Sequence, residues 1–406
     1  MNDISFSPST NDLLHADPRN IGKLQVELTS DCNLRCTYCT LSQPWYEGRH
    51  MEDSNIHKVI EFTKRHNIQS VHLNGHGEST IAPRWTEIAQ EFLKSGFHLT
   101  ITTNLAKKYT SDEIETLAQF EQLDISLETI DLKTLQQLRR KADIRQILHN
   151  IHMIRARALE LGCPTPRIVW GSIIAAETVE HFPKLVAMAI ECRINHWHIQ
   201  SLTKMDEIEG ALNLNPILSL EGEVFLEAVQ HLNEALSLAR KHQLSFHFQG
   251  SMAEDLMAKA REILTSRQSQ ASCRPGGPKA IRKSVIKADD SCMPADAILY
   301  GSGTPKGYTR DCTDPWSFMM LESNQQVSCC CFGQKPLGTL KLGQSIEEVF
   351  NAPRANNLRN SLLTGELDSI CANCSYRTLV PVDKFHKKIS HEFRVTTSLN
   401  GNAHAH

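Results

Sequence analysis

Three cysteines stand within eight residues, in Thr29-Ser-Asp-Cys32-Asn-Leu-Arg-Cys36-Thr-Tyr-Cys39, directly after the run Leu24-Gln-Val-Glu-Leu28. Such clustering is typical of a metal site rather than of core packing. Three thiolates at these spacings can ligate three irons of a [4Fe–4S] cluster and leave the fourth iron open for another ligand. Zinc is the alternative, because Cys-x2-Cys is also a zinc spacing. It would need a fourth ligand at a similar separation, and none stands close by.

Composition limits the classes of protein to which this chain can belong. Its 406 residues carry a formal net charge of −3 at pH 7, so the charge favours neither nucleic acid nor an anionic membrane as a partner. No apolar run approaches the ~20 residues that span a bilayer, and no signal peptide is evident at the N-terminus. Thirteen cysteines without an export signal favour metal ligands over disulfides, so we expect a cytoplasmic protein.

Short apolar runs alternate with helical patterns over residues 23–202. The predicted strands are Leu24–Leu28, Val71–Leu73, Phe97–Thr102, Leu123–Leu127, Ile168–Ile174 and Trp197–Leu202. Between two of them, Thr110 and Glu113 have the spacing of a capping box, which predicts the start of a helix. Alternation of this kind predicts parallel βα units in an α/β fold, either an open doubly wound sheet or a barrel.

The first cysteine motif resembles that of the radical S-adenosylmethionine (radical SAM) superfamily, including Tyr38 just before its last cysteine. The resemblance extends from about Lys23 to Leu202 and resumes from Cys312 to Cys374. It implies a partial (β/α)6 barrel in which a [4Fe–4S] cluster held by the three cysteines binds SAM. It also implies cleavage of SAM by one electron to a 5′-deoxyadenosyl radical, which takes a hydrogen atom from the substrate. An external reductant of the flavodoxin or ferredoxin type would supply the electron.

Further residues resemble the SAM pocket of this family. Gly75-His-Gly77-Glu78 follows the second predicted strand, where glycines let backbone approach a ligand and a carboxylate can bind an ammonium group. The resemblance implies that Gly75, Gly77 and Glu78 contact SAM. Asn104 and Ser126, at the ends of the next two strands, resemble positions that touch its ribose or carboxylate.

An arginine of the family lies near the SAM carboxylate. Arg139 and Arg140 both stand at the corresponding place, and the sequence does not say which of them points inward.

A second group of cysteines occupies the last hundred residues. Cys312, one cysteine of the triplet Cys329-Cys-Cys331, and Cys371-Ala-Asn-Cys374 supply four thiolates, enough for a closed [4Fe–4S] cluster or a four-thiolate zinc site. Their order and the Pro-Trp after Cys312 resemble the SPASM domain and its shortened Twitch form, which implies one auxiliary [4Fe–4S] cluster. Cys330 is the predicted ligand of the triplet, and its two neighbours are possible substitutes.

The sequence suggests five segments. We expect a leader at 1–22, the radical SAM core at 23–250, a linker or active-site crossing at 251–310, a small hairpin-and-helix auxiliary domain at 311–380, and a tail at 381–406. The Gly/Pro-rich crossing carries Cys273 and Cys292, two candidate catalytic thiols. A thiol there could return a hydrogen atom to a substrate radical in an epimerase, whereas idle thiols are the alternative.

The resemblance leaves more than one function open. Relatives with an auxiliary cluster mostly modify peptides, by oxidation, cross-linking or epimerisation, and a minority act on sugars or aminocyclitols. The sequence therefore predicts a peptide substrate first and a small-molecule dehydrogenase or epimerase second. An iron–sulfur electron carrier is a third possibility, although such a protein has no need of the SAM pocket around Gly77 and Glu78.

Overall fold

The computed structural model describes residues 13–201, 214–272, 304–330, 336–341, 343–372, 374 and 377–393. The chain forms two compact units. The first unit is Met1–Ser126, Gln136–Val169 and Thr304–His406, and the second is Leu127–Leu135 and Trp170–Gly303.

The strands confirm an α/β fold built on a mainly parallel sheet. They are, in chain order, β1 (Lys23–Val26), β2 (Arg35–Cys36), β3 (Ser70–Leu73), β4 (His98–Thr103), β5 (Gln122–Ser126), β6 (Arg139–Arg140), β7 (Arg167–Ile174), β8 (His196–Ser201), β9 (Ser245–Phe248), β10 (Tyr308–Arg310), β11 (Phe318–Leu321), β12 (Gln326–Ser328), β13 (Gly338–Thr339) and β14 (Leu379–Pro381). All six predicted strands are present, each within two residues of its predicted bounds at either end.

The helices lie between the strands in the order that the periodicity predicts. They are α1 (Asp53–His66), α2 (Trp85–Lys94), α3 (Ser111–Ala118), α4 (Leu132–Leu138), α5 (Ile144–Glu160), α6 (Phe182–Glu191), α7 (Gly222–Lys241), α8 (Met252–Ser272), α9 (Asp314–Ser317), α10 (Ile346–Phe350), α11 (Pro353–Thr364), α12 (Ser369–Ala372) and α13 (Val382–Glu392). Helix α3 begins at the predicted capping box, in which Thr110 and Glu113 each bond the other's backbone amide.

In the first unit, the sheet has the strand order β13-β12-β11-β1-β3-β4-β5. Strands β1, β3, β4 and β5 are parallel, as βα units require. One face of β1 buries Leu24 and Val26 against the hydrophobic core. The opposite face is polar and carries Gln25 and, next to it on β3, His72.

The second unit contains the end of β7 from Trp170 onward, followed by β8 and β9 in that order. Helices α6 and α7 pack against each other. Trp197 of β8 is buried edge-on against Phe182 of α6, with ring centroids 5.1 Å apart, and donates its indole N–H to Ser172.

The C-terminal region differs from the predicted layout in three places. Strand β11 of the predicted hairpin pairs in parallel with β1, so it extends the main sheet of the first unit. The predicted linker at 251–310 begins with helix α8, and the predicted tail at 381–406 begins with helix α13. Phe385 and Ile389 of α13 are buried, and that apolar spacing on an otherwise polar stretch is the local reason for the helix.

Within the part of the chain that the structure describes, none of the helices combines the length and the apolar character needed to cross a bilayer.

Candidate functional site

The first cysteine motif follows β1 in a loop and a short strand. Cys36 lies on β2, whose partner β6 places Arg139 opposite it. The chain then turns between Cys36 and Cys39, where the Cys39 backbone N–H donates to the Cys36 carbonyl at 3.1 Å. All three thiols of the motif are partly exposed and free of disulfides.

Cys32 lies where a negative charge is costly without a metal. Burial, with smaller contributions from the charges of Glu78, Cys36 and Cys39, raises the pKa of its thiol to about 12. A positively charged cluster would relieve this repulsion and favour the thiolate form.

The three thiols have the number and the spacing that a [4Fe–4S] cluster with one open iron requires. Among the described residues, no three Cys, His, Asp or Glu side chains converge on one ion position. In a [4Fe–4S] cluster each thiolate ligates its own iron, so the sulfurs need not converge on one point.

Gly77 packs directly on the backbone of the cysteine loop. A Cβ at this position would lie 2.2 Å from the Asp31 carbonyl oxygen and 2.4 Å from that of Thr29. The next residue, Glu78, donates its backbone N–H to the same Asp31 oxygen at 2.8 Å. Only glycine permits this approach, which joins the loop after β3 to the loop that carries Cys32.

The Glu78 carboxylate is buried and takes four hydrogen bonds. One oxygen accepts from the Thr80 backbone N–H, the Thr80 hydroxyl and the Thr103 hydroxyl, and the other accepts from the Asn104 N–H at 2.7 Å. Burial raises its pKa, although these donors oppose the shift. The carboxylate therefore ties the ends of β3 and β4 together. Its role toward the ammonium group of SAM stays a prediction.

Asn104 contacts the cysteine loop. Its side-chain amide donates to Asn33 Oδ1 at 2.8 Å and lies 3.7 Å from Cys32 Sγ, while its oxygen accepts from the Ala106 N–H. Ser126, the other predicted pocket residue of this type, ends β5 and is partly buried.

The two neighbouring arginines have different surroundings. Arg139 is buried, with its guanidinium carbon 5.8 Å from the ring centroid of Tyr38. Burial raises the pKa of Cys39, and the charge of Arg139 opposes that shift. Arg140 is exposed on the same short strand. Arg139 is therefore the one that faces the cysteine motif.

Glu27 is a buried residue that the sequence analysis did not single out. It follows β1, and its carboxylate accepts hydrogen bonds from the backbone N–H of His76 and from Ser323. The signal available in the sequence was a carboxylate at the end of the strand that precedes the cysteines.

The second group of cysteines also comes together in the first unit. Burial raises the pKa of both Cys312 and Cys371. A thiolate at Cys330 adds to both shifts, and Cys374 adds to the shift of Cys371. Cys330 is thus near the other predicted ligands. Cys329 is buried beside it, with a pKa raised to about 12 by burial, and Cys331 lies outside the described residues.

Arginines hold the loops that carry these cysteines. Arg310 is buried and donates to the carbonyl oxygens of Cys371, Ala372 and Arg377, at 2.6–3.0 Å. Arg377 in turn pairs with Asp314 at 2.7 Å, two residues after Cys312. The two candidate catalytic thiols, Cys273 and Cys292, lie outside the described residues.

The cysteine loop, the Gly77 contact and strands β1 to β5 lie in a part of the chain that is similar to known proteins. Residues 26–169 match the model of the Radical SAM superfamily. This chain carries a radical SAM domain. Members of that superfamily use a [4Fe–4S] cluster with SAM, which confirms the predicted SAM-binding cofactors at the level of the family.

One curated relative is the tungsten-containing aldehyde ferredoxin oxidoreductase cofactor-modifying protein of Pyrococcus furiosus, 23% identical over 210 residues. The match covers 48% of this chain and 58% of the relative, so the chain spans little more than half the length of that protein.

Solved radical SAM structures share the fold. SuiB of Streptococcus suis bound to S-adenosylmethionine has a TM-score of 0.55 and 16% identity, over 84% of this chain and 68% of SuiB. SuiB bound to its precursor peptide SuiA has the same TM-score and identity. Native anSMEcpe with bound AdoMet has a TM-score of 0.55 and 13% identity, over 91% of this chain and 96% of anSMEcpe. At these identities the likeness establishes the fold, a partial barrel of the radical SAM type.

Proposed function

We propose that this protein is an enzyme that cleaves SAM reductively at a [4Fe–4S] cluster held by Cys32, Cys36 and Cys39, and abstracts hydrogen from a bound substrate. The observation that carries the proposal is the packing of Gly77 onto the backbone of the Cys32 loop, which joins the predicted SAM-binding loop to the cluster-binding loop. When bound, the cluster and SAM would supply a 5′-deoxyadenosyl radical for the hydrogen abstraction.

Residues around the thiols have supporting roles in this proposal. Asn104 would orient Cys32 and stabilise a negatively charged sulfur through its amide. Arg139 would place a positive charge beside the cluster and stack on Tyr38. Glu78 would fix the backbone next to the SAM pocket, because its buried carboxylate accepts hydrogen bonds from Thr80, Thr103 and Asn104.

A second [4Fe–4S] cluster belongs to the proposal. Its ligands would be Cys312, Cys330, Cys371 and Cys374. Burial raises the pKa of Cys312 and of Cys371, and a thiolate at Cys330 adds to both shifts. Arg310 supports this assignment, since it donates hydrogen bonds to the carbonyl groups of Cys371, Ala372 and Arg377. An electron carrier of the flavodoxin or ferredoxin type would supply the electron, and a reducing cytoplasm would suit both clusters.

A peptide is the substrate we favour. The support is the fold shared with SuiB bound to its precursor peptide and with anSMEcpe bound to the Kp18Cys peptide. The reaction would be an oxidative or epimerising modification of that peptide. A sugar or aminocyclitol substrate is the second candidate. Cys273 or Cys292 would serve as hydrogen donor only in an epimerase, so exchange of solvent deuterium into product would favour that reaction.

The experiment that tests the proposal needs no substrate. Anaerobically reconstituted protein is expected to hold about eight irons per chain and to convert SAM to 5′-deoxyadenosine with dithionite. Replacing Cys32, Cys36 and Cys39 together by Ala should leave about four irons and abolish the conversion. A matched variant, Cys371→Ala with Cys374→Ala, should also lose about four irons but retain SAM cleavage. Wild-type protein that holds iron yet never cleaves SAM would contradict the proposal.

A further inference from the structure

Glu27 is a fully buried carboxylate at the point where three segments meet. It is 1% exposed and lies one residue beyond β1, five residues before Cys32. Its backbone N–H donates to the Leu321 carbonyl of β11, at 2.9 Å. A buried carboxylate is costly unless donors surround it, so its partners show what it holds in place.

One oxygen of Glu27 holds the predicted SAM-binding loop. Oε1 accepts a hydrogen bond from the backbone N–H of His76. A Cβ on the neighbouring Gly75 would lie 2.3 Å from both Cγ and Oε1 of Glu27, so this loop packs against the side chain itself. The position of the Gly75–Gly77 backbone therefore depends on where the Glu27 carboxylate lies.

The other oxygen of Glu27 holds the C-terminal hairpin. Oε2 accepts from the Ser323 backbone N–H at 3.0 Å and from the Ser323 hydroxyl at 2.7 Å. Ser323 belongs to the turn between β11 and β12, and β12 leads directly into Cys329 and Cys330. The Glu27 carboxylate thus accepts a hydrogen bond from the SAM-binding loop at one oxygen. Its other oxygen accepts from the hairpin that leads to Cys329 and Cys330.

We propose that Glu27 is a positioning residue that sets the geometry of the SAM-binding loop, and that Ser323 of the C-terminal hairpin tunes SAM affinity through it. This inference rests on the function proposed above. Ser323 bonds Glu27, and among the described residues Glu27 is the hydrogen-bond partner of the His76 N–H, so Ser323 acts on the SAM loop through the shared carboxylate. The consequence is that the region of the second cluster influences SAM binding without touching SAM.

The test measures SAM affinity in cluster-loaded, full-length protein under anaerobic conditions. Glu27→Gln, which replaces one acceptor oxygen by an amide group, is expected to weaken SAM binding about tenfold or more. Ser323→Ala is expected to weaken it about three- to tenfold. Iron content should stay at the wild-type value in both variants, and the change that SAM causes in the electron paramagnetic resonance signal of the reduced cluster should diminish.

Ser328→Ala is the matched control. The Ser328 hydroxyl also donates to a carboxylate on this hairpin, but to Glu322 rather than Glu27, at 3.0 Å. Its loss should leave SAM affinity unchanged. The double variant Glu27→Gln with Ser323→Ala should bind SAM no more weakly than Glu27→Gln alone, because both changes break the same link. A merely structural role of Ser323 would make the two effects multiply.

The outcomes separate this inference from the proposed function. Wild-type affinity for SAM in Ser323→Ala, or multiplied effects in the double variant, overturns the inference while SAM cleavage by the wild-type protein still stands. Wild-type protein that neither binds nor cleaves SAM overturns both. If Glu27→Gln does not fold, the comparison of SAM affinity between Ser323→Ala and Ser328→Ala tests the inference by itself.

Discussion

The side-chain amide of Asn104 lies 3.7 Å from the Sγ atom of Cys32, across two loops that are 72 residues apart in the chain. An N–H donor at a sulfur ligand stabilises the more negative, reduced state of an iron–sulfur cluster. This contact would therefore affect the reduction potential of the cluster that passes an electron to SAM in the proposed reaction.

Asn104→Ala is therefore expected to lower the reduction potential of the first cluster. Loss of a hydrogen bond of about 1 kcal/mol corresponds to about 40 mV for a one-electron couple. A redox titration followed by electron paramagnetic resonance would measure it, with the second cluster as an internal control. An unchanged potential of the first cluster would contradict a role of this amide at the sulfur.

Gly77→Ala should disrupt the contact between the predicted SAM loop and the cysteine loop. The added Cβ would meet two backbone oxygens at 2.2 and 2.4 Å, which cannot move aside as a flexible side chain can. We expect a loss of about 1–3 kcal/mol in the free energy of unfolding, measured in urea, together with weaker SAM binding. Gly22→Ala is the control, since no atom lies within 4 Å of its added Cβ. Equal stability of the two variants would show that the loops are not packed as described.

Arg310→Met should remove the second cluster and leave the first. Its guanidinium supplies donors to three carbonyl groups around Cys371 and Cys374, and methionine has similar length but no donors. Iron content is expected to fall from about eight to about four per chain, with SAM cleavage retained. Arg140→Met, on an exposed arginine, serves as the control. Retention of both clusters in Arg310→Met would argue against this role.

His72 should make the fold less stable in mild acid. Burial lowers its pKa to about 3, with a contribution from the charge of Lys23, while its ring bonds the hydroxyls of Thr100 and Thr102. Between this pKa and the ordinary value near 6.5, the unfolded chain binds a proton that the folded chain does not. The stabilisation is therefore complete above about pH 6.5 and is lost as the pH falls.

The matching experiment compares His72→Gln with the wild type. Urea unfolding of the metal-free protein between pH 5 and 7.5 should give a shallower pH dependence in the variant, by up to about 1.4 kcal/mol per pH unit at the acid end. His98→Gln, on an exposed histidine, should follow the wild type. Identical slopes for wild type and His72→Gln would rule out His72 as the source.

Local patterns predicted the elements that depend on local interactions. The capping box at Thr110 and Glu113 forms as expected because its two hydrogen bonds join residues three apart. The six strands appear because apolar spacing decides which face is buried. Pairing of β1 with β11 was not predictable in this way, since about 295 residues separate the partners and a hairpin has the same sequence pattern beside a sheet or alone.

In the functional site too, local motifs were predictable, whereas contacts between distant parts of the chain were not. The cysteine spacing and the loop at Gly77 were recognisable because each motif is continuous in the chain. The choice between Arg139 and Arg140 required the structure, because it depends on which residue of a two-residue strand faces Tyr38. Glu27 was missed since its partners His76 and Ser323 come from distant parts of the chain.

Strand β11 occupies the edge of β1 through hydrogen bonds from Lys23 to Val26. A truncated protein without residues 304–406 would expose the backbone N–H and C=O groups of that edge to other chains, and exposed strand edges promote aggregation. The C-terminal region is therefore not a removable module. We expect it to unfold together with the first half of the sheet, so that neither cysteine group can be studied faithfully in an isolated fragment.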